Sequence, residues 1–165
     1  MKKNCLLIAF ILLSVYGMAQ KRSSFPFSGG KEHMMLFFKD SLTVSPDVIK
    51  RHATGVVIFK FTADNEGNLS KMVVYYADDP LLIQPVIEAL KRSNHKWQIP
   101  QGQKFNDYVI TFSFNYNSPV TNPLEVQKTV FDNISNRKPY ISENQLLLEG
   151  GILLPTVLVN YDIPE

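Results

Sequence analysis

The cleanest pattern of apolar and polar positions lies in DYVITFSFNY, residues 107–116. Tyr108, Ile110, Phe112, Phe114 and Tyr116 fall on one side of an extended chain, and Val109, Thr111, Ser113 and Asn115 on the other. One side is apolar and the other mixed, which predicts a strand of an antiparallel sheet covered on one face. Two earlier runs alternate in the same way. GVVIFKF (55–61) sets Val57, Phe59 and Phe61 against Val56, Ile58 and Lys60, with Gly55 opening the strand. LSKMVVYY (69–76) sets Met72, Val74 and Tyr76 against Lys71, Val73 and Tyr75. Between them, Asp64-Asn65-Glu66-Gly67-Asn68 tolerates positive φ, which predicts a hairpin turning at Gly67.

Between the second and third strands the period changes. In QPVIEALKRS (84–93), Val86, Ile87, Ala89 and Leu90 form an apolar side, with Glu88, Lys91 and Arg92 outside. A proline costs about 3 kcal/mol inside a helix and almost nothing at its first position, so the helix is predicted to begin at Pro85. Ten residues do not hold as a helix in water, so this one needs a sheet to lie on. Trp97 and Pro100 then lead to the third strand, and the indole is expected to plug the helix-covered face. The predicted class is α+β: a small antiparallel β-β-α-β sheet of order 2-1-3, a short helix on one face, and a C-terminal extension. Strand three is expected on an edge.

The flanks are less regular. SPDVIKRH (45–52) carries a helix start, with Ser45 as N-cap, Pro46 first and Asp47 in the first turn. MMLFF (34–38) predicts a strand or a buried turn, and residues 21–31 a leader from which Phe25 and Phe27 dock on the body. Past residue 116, LEVQKTVFDNIS (124–135) predicts a helix with Leu124, Val130, Phe131 and Ile134 on one side. Residues 137–144 read as loop. LLLEGGILLPTVLVNY (146–161) reads as two strands around Gly150-Gly151, with Pro155 confining the second to an edge or a bulge.

The first nineteen residues stand apart. Lys2 and Lys3 precede an apolar run of about a dozen residues, short of the roughly 20 that span a bilayer, and Gly17-Met18-Ala19 offers a cleavage site before Gln20. The expected organisation is a signal peptide at 1–19, a leader at 20–44, the strand-helix domain at 45–117 and the extension at 118–165. Cleavage removes two of the 17 basic residues, leaving 15 against 15 acidic ones. That balance argues against a nucleic-acid partner. The single cysteine, Cys5, leaves too, and with it any disulfide, thiol nucleophile or thiolate metal site.

No constellation points to catalysis or a metal. His33, His52 and His95 are scattered without ligand spacing. Asp64, Glu66 and Asn68 lack the glycine register and distal glutamate of a calcium loop, and Asp78-Asp79-Pro80 reads as a strand-ending turn. No nucleophile elbow, phosphate loop or dinucleotide fingerprint is present. The expectation is a non-enzymatic protein without cofactor.

The order of features over residues 45–116 resembles the TonB C-terminal domain family. A short helix precedes Gly55 and its apolar strand; an acidic-Asn-Gly hairpin and a Val-rich second strand follow. An Asp-Pro-Leu-Leu turn (79–82), a short helix with Ala89 and Leu90, Trp97 close to Pro100, and the alternating final strand complete the order. The resemblance implies a periplasmic module that binds an extended segment of an outer-membrane receptor by strand addition. On that reading the partner-binding edge is Tyr108, Val109, Ile110, Thr111, Phe112, Ser113, Phe114, Asn115 and Tyr116, supported by Gly55, Gly67, Pro85, Leu90, Trp97 and Pro100. The expected partner is a protein or peptide, with a homodimer also compatible, in the periplasm or outer envelope of a Gram-negative-type cell. The chain departs from an energy transducer in its cleavable apolar segment and short spacer. Two alternatives therefore stand beside strand addition: a self-capped structural or envelope-assembly domain whose C-terminal strand fills the edge, and a short membrane-anchored transducer.

Overall fold

The computed structural model describes residues 25–117, 123–143 and 150–163. The proposed signal peptide lies outside the described residues. Among those described, no helix is long and apolar enough to cross a membrane.

The fold is α+β, as the alternating runs imply. β1 (Gly55–Asp64) and β2 (Leu69–Ala77) form an antiparallel hairpin, and β3 (Phe105–Asn117) pairs antiparallel with β1 on its other side. Val57, Phe59 and Phe61 of β1 are buried with Tyr108, Ile110, Phe112 and Phe114 of β3, so the two alternations pick out one shared core face. The hairpin turn is tied by the Asp64 carboxylate, which accepts from the backbone N–H groups of Glu66 and Asn68, both at 2.9 Å. Hydrogen bonding by Asn68 holds that carboxyl below its ordinary pKa. At Gly67 φ is +80°, and a Cβ would come within 2.8 Å of the Trp97 carbonyl oxygen. The hairpin is less regular than its pattern. The β1–β2 register shifts twice, and Lys71 takes a left-handed φ of 48°, so residues 72–76 are all half-buried instead of alternating.

Three helices lie over the core face. α1 (Gly30–Ser41) replaces the strand or turn expected at 34–38: Met34 and Phe38, four residues apart, are both fully buried. α2 (Pro46–Arg51) starts as predicted, its Ser45 hydroxyl accepting from the Val48 N–H at 3.4 Å. α3 (Ile83–Arg92) follows a 3-10 turn at Pro80–Leu82 and begins two residues before Pro85. As the third helical residue, Pro85 lacks an N–H that would have had no intrahelical acceptor, so the earlier start costs no bond. Leu90, Val86 and Ala89 are fully buried.

Trp97 is buried among Phe61 (ring centroids 4.6 Å apart), Phe27 (5.1 Å) and Tyr108 (5.6 Å). Its indole N–H donates to the Ser93 hydroxyl at 2.9 Å, which satisfies the one polar atom the ring carries. Pro100 is exposed and accepts from the Gln103 N–H in the turn before β3. Phe27 docks as expected, bridging to Trp97 at the backbone.

The extension builds the rest of the sheet. α4 (Pro123–Asn136) buries Val126 and Val130. Leu124 and Phe131, expected on its inner side, are 79% and 67% exposed. β4 (Tyr140–Ile141) pairs antiparallel with the end of β2, while β5 (Ile152–Leu153) and β6 (Val157–Asp162) both pair parallel with β3. The expected order 2-1-3 survives as the centre of a mixed sheet, β4-β2-β1-β3-β5, with β6 also on β3. Two features of the expectation are corrected: the sheet is not wholly antiparallel, and β3 is not an edge strand.

Candidate functional site: a sheet edge closed by the tail

The strand proposed for partner binding lies where the alternation placed it. Tyr108, Ile110, Phe112 and Phe114 face the helices and are fully buried; Thr111 and Ser113 are half-buried on the opposite face, Asn115 is exposed and Tyr116 half-buried. Val109, expected on the wet side, is buried, with its carbonyl accepting from the Leu154 N–H at 2.8 Å.

The side of β3 away from β1 carries the chain's own tail. Tyr108 and Val109 pair with Ile152 and Leu153, and after a break at Pro155 the residues from Phe112 to Asn117 pair in unbroken register with those from Val157 to Asp162. The tail has the means to hold this position. Val157, Val159 and Tyr161 alternate with Leu158, Asn160 and Asp162, and the first set is buried while the second is exposed. Leu154 and Ile163 add further buried apolar surface. The break between β5 and β6 falls at Pro155, which cannot donate to a ladder, and not at the glycine pair. Residues 146–149, the first half of the predicted strand pair, lie outside the described residues.

Two side chains of the extension fasten it to the body at consecutive carbonyls. The Tyr161 hydroxyl crosses the core to donate to the Ala53 carbonyl at 2.8 Å, and Arg137 donates to the carbonyl of Thr54. Burial pushes the Tyr161 phenol up to about 12, with smaller contributions from Tyr116 and Asp79. Arg137 also pairs with Asp78 at 3.3 Å, in a setting where both side chains are mostly buried. The same carboxylate accepts from the Val56 N–H and the Tyr76 hydroxyl, both at 2.7 Å. Gly55 is what permits this approach: its φ is +130°, and a Cβ there would stand 2.5 Å from Asp78. At the outer end, the Asn117 amide donates to the Asp162 carboxylate at 2.7 Å.

Sequence reasoning singled out Gly55 but not Tyr161 or Arg137, and took Asp78 only as part of a strand-ending turn. The V-x-V-x-Y alternation of 157–161 signals a strand, yet nothing local says that its tyrosine reaches residue 53.

The geometry offers backbone pairing and apolar burial more than reactive groups. Among the described residues no cluster of His, Cys, Asp or Glu is arranged to hold a metal ion. His52 ends α2 in the left-handed region; burial lowers its pKa, and its Nδ1 has no hydrogen-bond partner. A shallow depression of about 410 Å³, lined by Phe27, Ser28, His33, Leu36, Phe37 and Lys96, contains no paired acid and base.

Compared with protein-family models, with curated proteins and with solved structures, the chain matches none.

Proposed function

We propose that this is an exported, non-enzymatic domain of the cell envelope that acts through protein–protein contacts, built on a TonB C-terminal-like core whose accepting edge is closed by its own tail. The six-residue parallel ladder between β3 and β6 supports the closed edge; export rests on the pattern of residues 1–19, and the likeness of the core on the order of features over 45–116. Magnitude favours the closed form. The tail buries Leu154, Val157, Val159, Tyr161 and Ile163, and each such side chain is worth on the order of 1.5–3 kcal/mol before ordering costs. An extended receptor segment adding along residues 108–116 must first displace that burial, and a short peptide brings little to replace it.

The test is removal of residues from Gly150 onward. Loss of the tail exposes the β3 edge, and the truncated chain is expected to aggregate at concentrations where the intact chain stays soluble. A truncated chain as soluble as the intact one counts against the closed-edge reading. Strand addition is read separately, by titrating the intact protein with extended receptor-derived peptides and following β3 and β6 amides by NMR. Release of β6 with perturbation of β3 would make the tail a displaceable plug. The anchored-transducer alternative turns on the N-terminus of the protein from its native cells: a mass beginning at Gln20 removes it.

A further inference from the structure

Filling the β3 edge moves the boundary of the sheet outward to β6, and the two sides of the sheet are then finished very differently. On the β2 side, β4 pairs with Tyr76 and Ala77 only. The remainder of β2 carries two register shifts and an exposed Lys71 in a left-handed conformation. Bulges and an edge lysine are the devices by which proteins prevent a further strand from pairing. β6 has none of them. Among the described residues no strand pairs with its far side. Its register is unbroken, it contains no Pro or Gly, and its only charge is the terminal Asp162, already held by Asn117. Leu158, on the face away from the helices, is 61% exposed.

We infer that the far edge of β6 is an association surface for a second copy of this chain, joined antiparallel about a two-fold axis near Val159. That operation makes the strand its own complement. Leu158 lies beside Asn160 of the second copy and Val157 beside its Tyr161, so no like charges are opposed, and the two sheets become continuous. A heterologous peptide is the less favoured occupant, because the strand carries no charge along residues 157–161 by which to select one. The inference rests on the tail being docked, as the closed-edge reading holds.

The experiment uses the exported chain beginning at Gln20. Sedimentation at roughly 0.1 mM, where a micromolar contact saturates, is expected to give a dimer. Combining Leu158→Lys with Asn160→Lys changes only exposed side chains and sets like charges across the axis; it is expected to weaken association at least about tenfold. Hydrogen exchange on the same samples reports whether β6 is docked. A wild-type monomer with protected β6 amides overturns the inference and leaves the closed-edge reading standing. A dimer that persists in the double-lysine variant, or a monomer that binds extended peptides at β6, also overturns it. Freely exchanging β6 amides in the wild type overturn both.

Discussion

Tyr161→Phe isolates the latch that joins tail to body. The substitution keeps the ring, and with it most of the apolar burial of a side chain only 5% exposed. It removes one hydrogen bond and leaves the carbonyl of the fully buried Ala53 without that donor. An unsatisfied buried acceptor costs on the order of 1–3 kcal/mol, so urea unfolding at pH 7 should show a loss in that range. A second signature comes from pH. The phenol ionises near 10 in the unfolded chain and at about 12 when folded. Between those values the unfolded state releases a proton that the folded state keeps. The stability from this site is therefore fully present below pH 10 and declines as pH rises from 10 to 12, by up to about 3 kcal/mol. The phenylalanine variant lacks this decline. Its deficit relative to wild type should thus be constant below pH 10 and shrink above it. Tyr76 and Tyr108, whose phenols are also raised, titrate in both proteins and cancel in the difference. Parallel stability curves up to pH 12, or no deficit at pH 7, would refute the assignment of Tyr161 as a buried latch.

Two further substitutions probe the body of the fold. Gly55→Ala drives a Cβ into Asp78 at a φ of +130°; a loss on the order of 1–3 kcal/mol is expected in thermal unfolding, larger than for alanine at the open Gly150. Asp107→Asn tests the outer face, where the carboxylate accepts from Thr62 at 2.6 Å and pairs with Lys60 at 3.1 Å. The Thr62 bond is the main cause of its lowered pKa. Its contribution is present above the ordinary carboxylate value near 4 and lost as pH falls through the lower folded value, so the variant should show a shallower acid transition by circular dichroism.

What was legible in the sequence was what is local. β1, its turn, β2, α3 and β3 follow from period, turn chemistry and proline placement, each within a dozen residues. α1 was hidden because five consecutive apolar residues mask the four-residue step from Met34 to Phe38; only packing decides which of them turn inward. The bulges of β2 leave no mark in an alternating pattern. The closing of β3 was legible only as an option, since Val157–Asp162 reads as a strand but its partner lies far upstream, and a parallel ladder has no turn to announce it. In α4, the predicted side of Leu124, Val130, Phe131 and Ile134 holds only at Val130, which is buried with Val126 while the other three are exposed.

The ladder between Asn117 and Asp162 spans 45 residues of chain, and it sets an order of biogenesis. A ribosome delivers β3 well before the strand that completes it. Until the last segment emerges, the nascent chain presents a finished hairpin core beside an open, apolar-faced ladder. Closure is a late, long-range step, slow relative to the local elements and exposed to aggregation while it waits. A frameshift or premature stop between β4 and β6 therefore has a consequence out of proportion to the few strand residues it removes. It leaves a core that can still collapse with its adhesive side permanently uncovered, a species for quality control to remove.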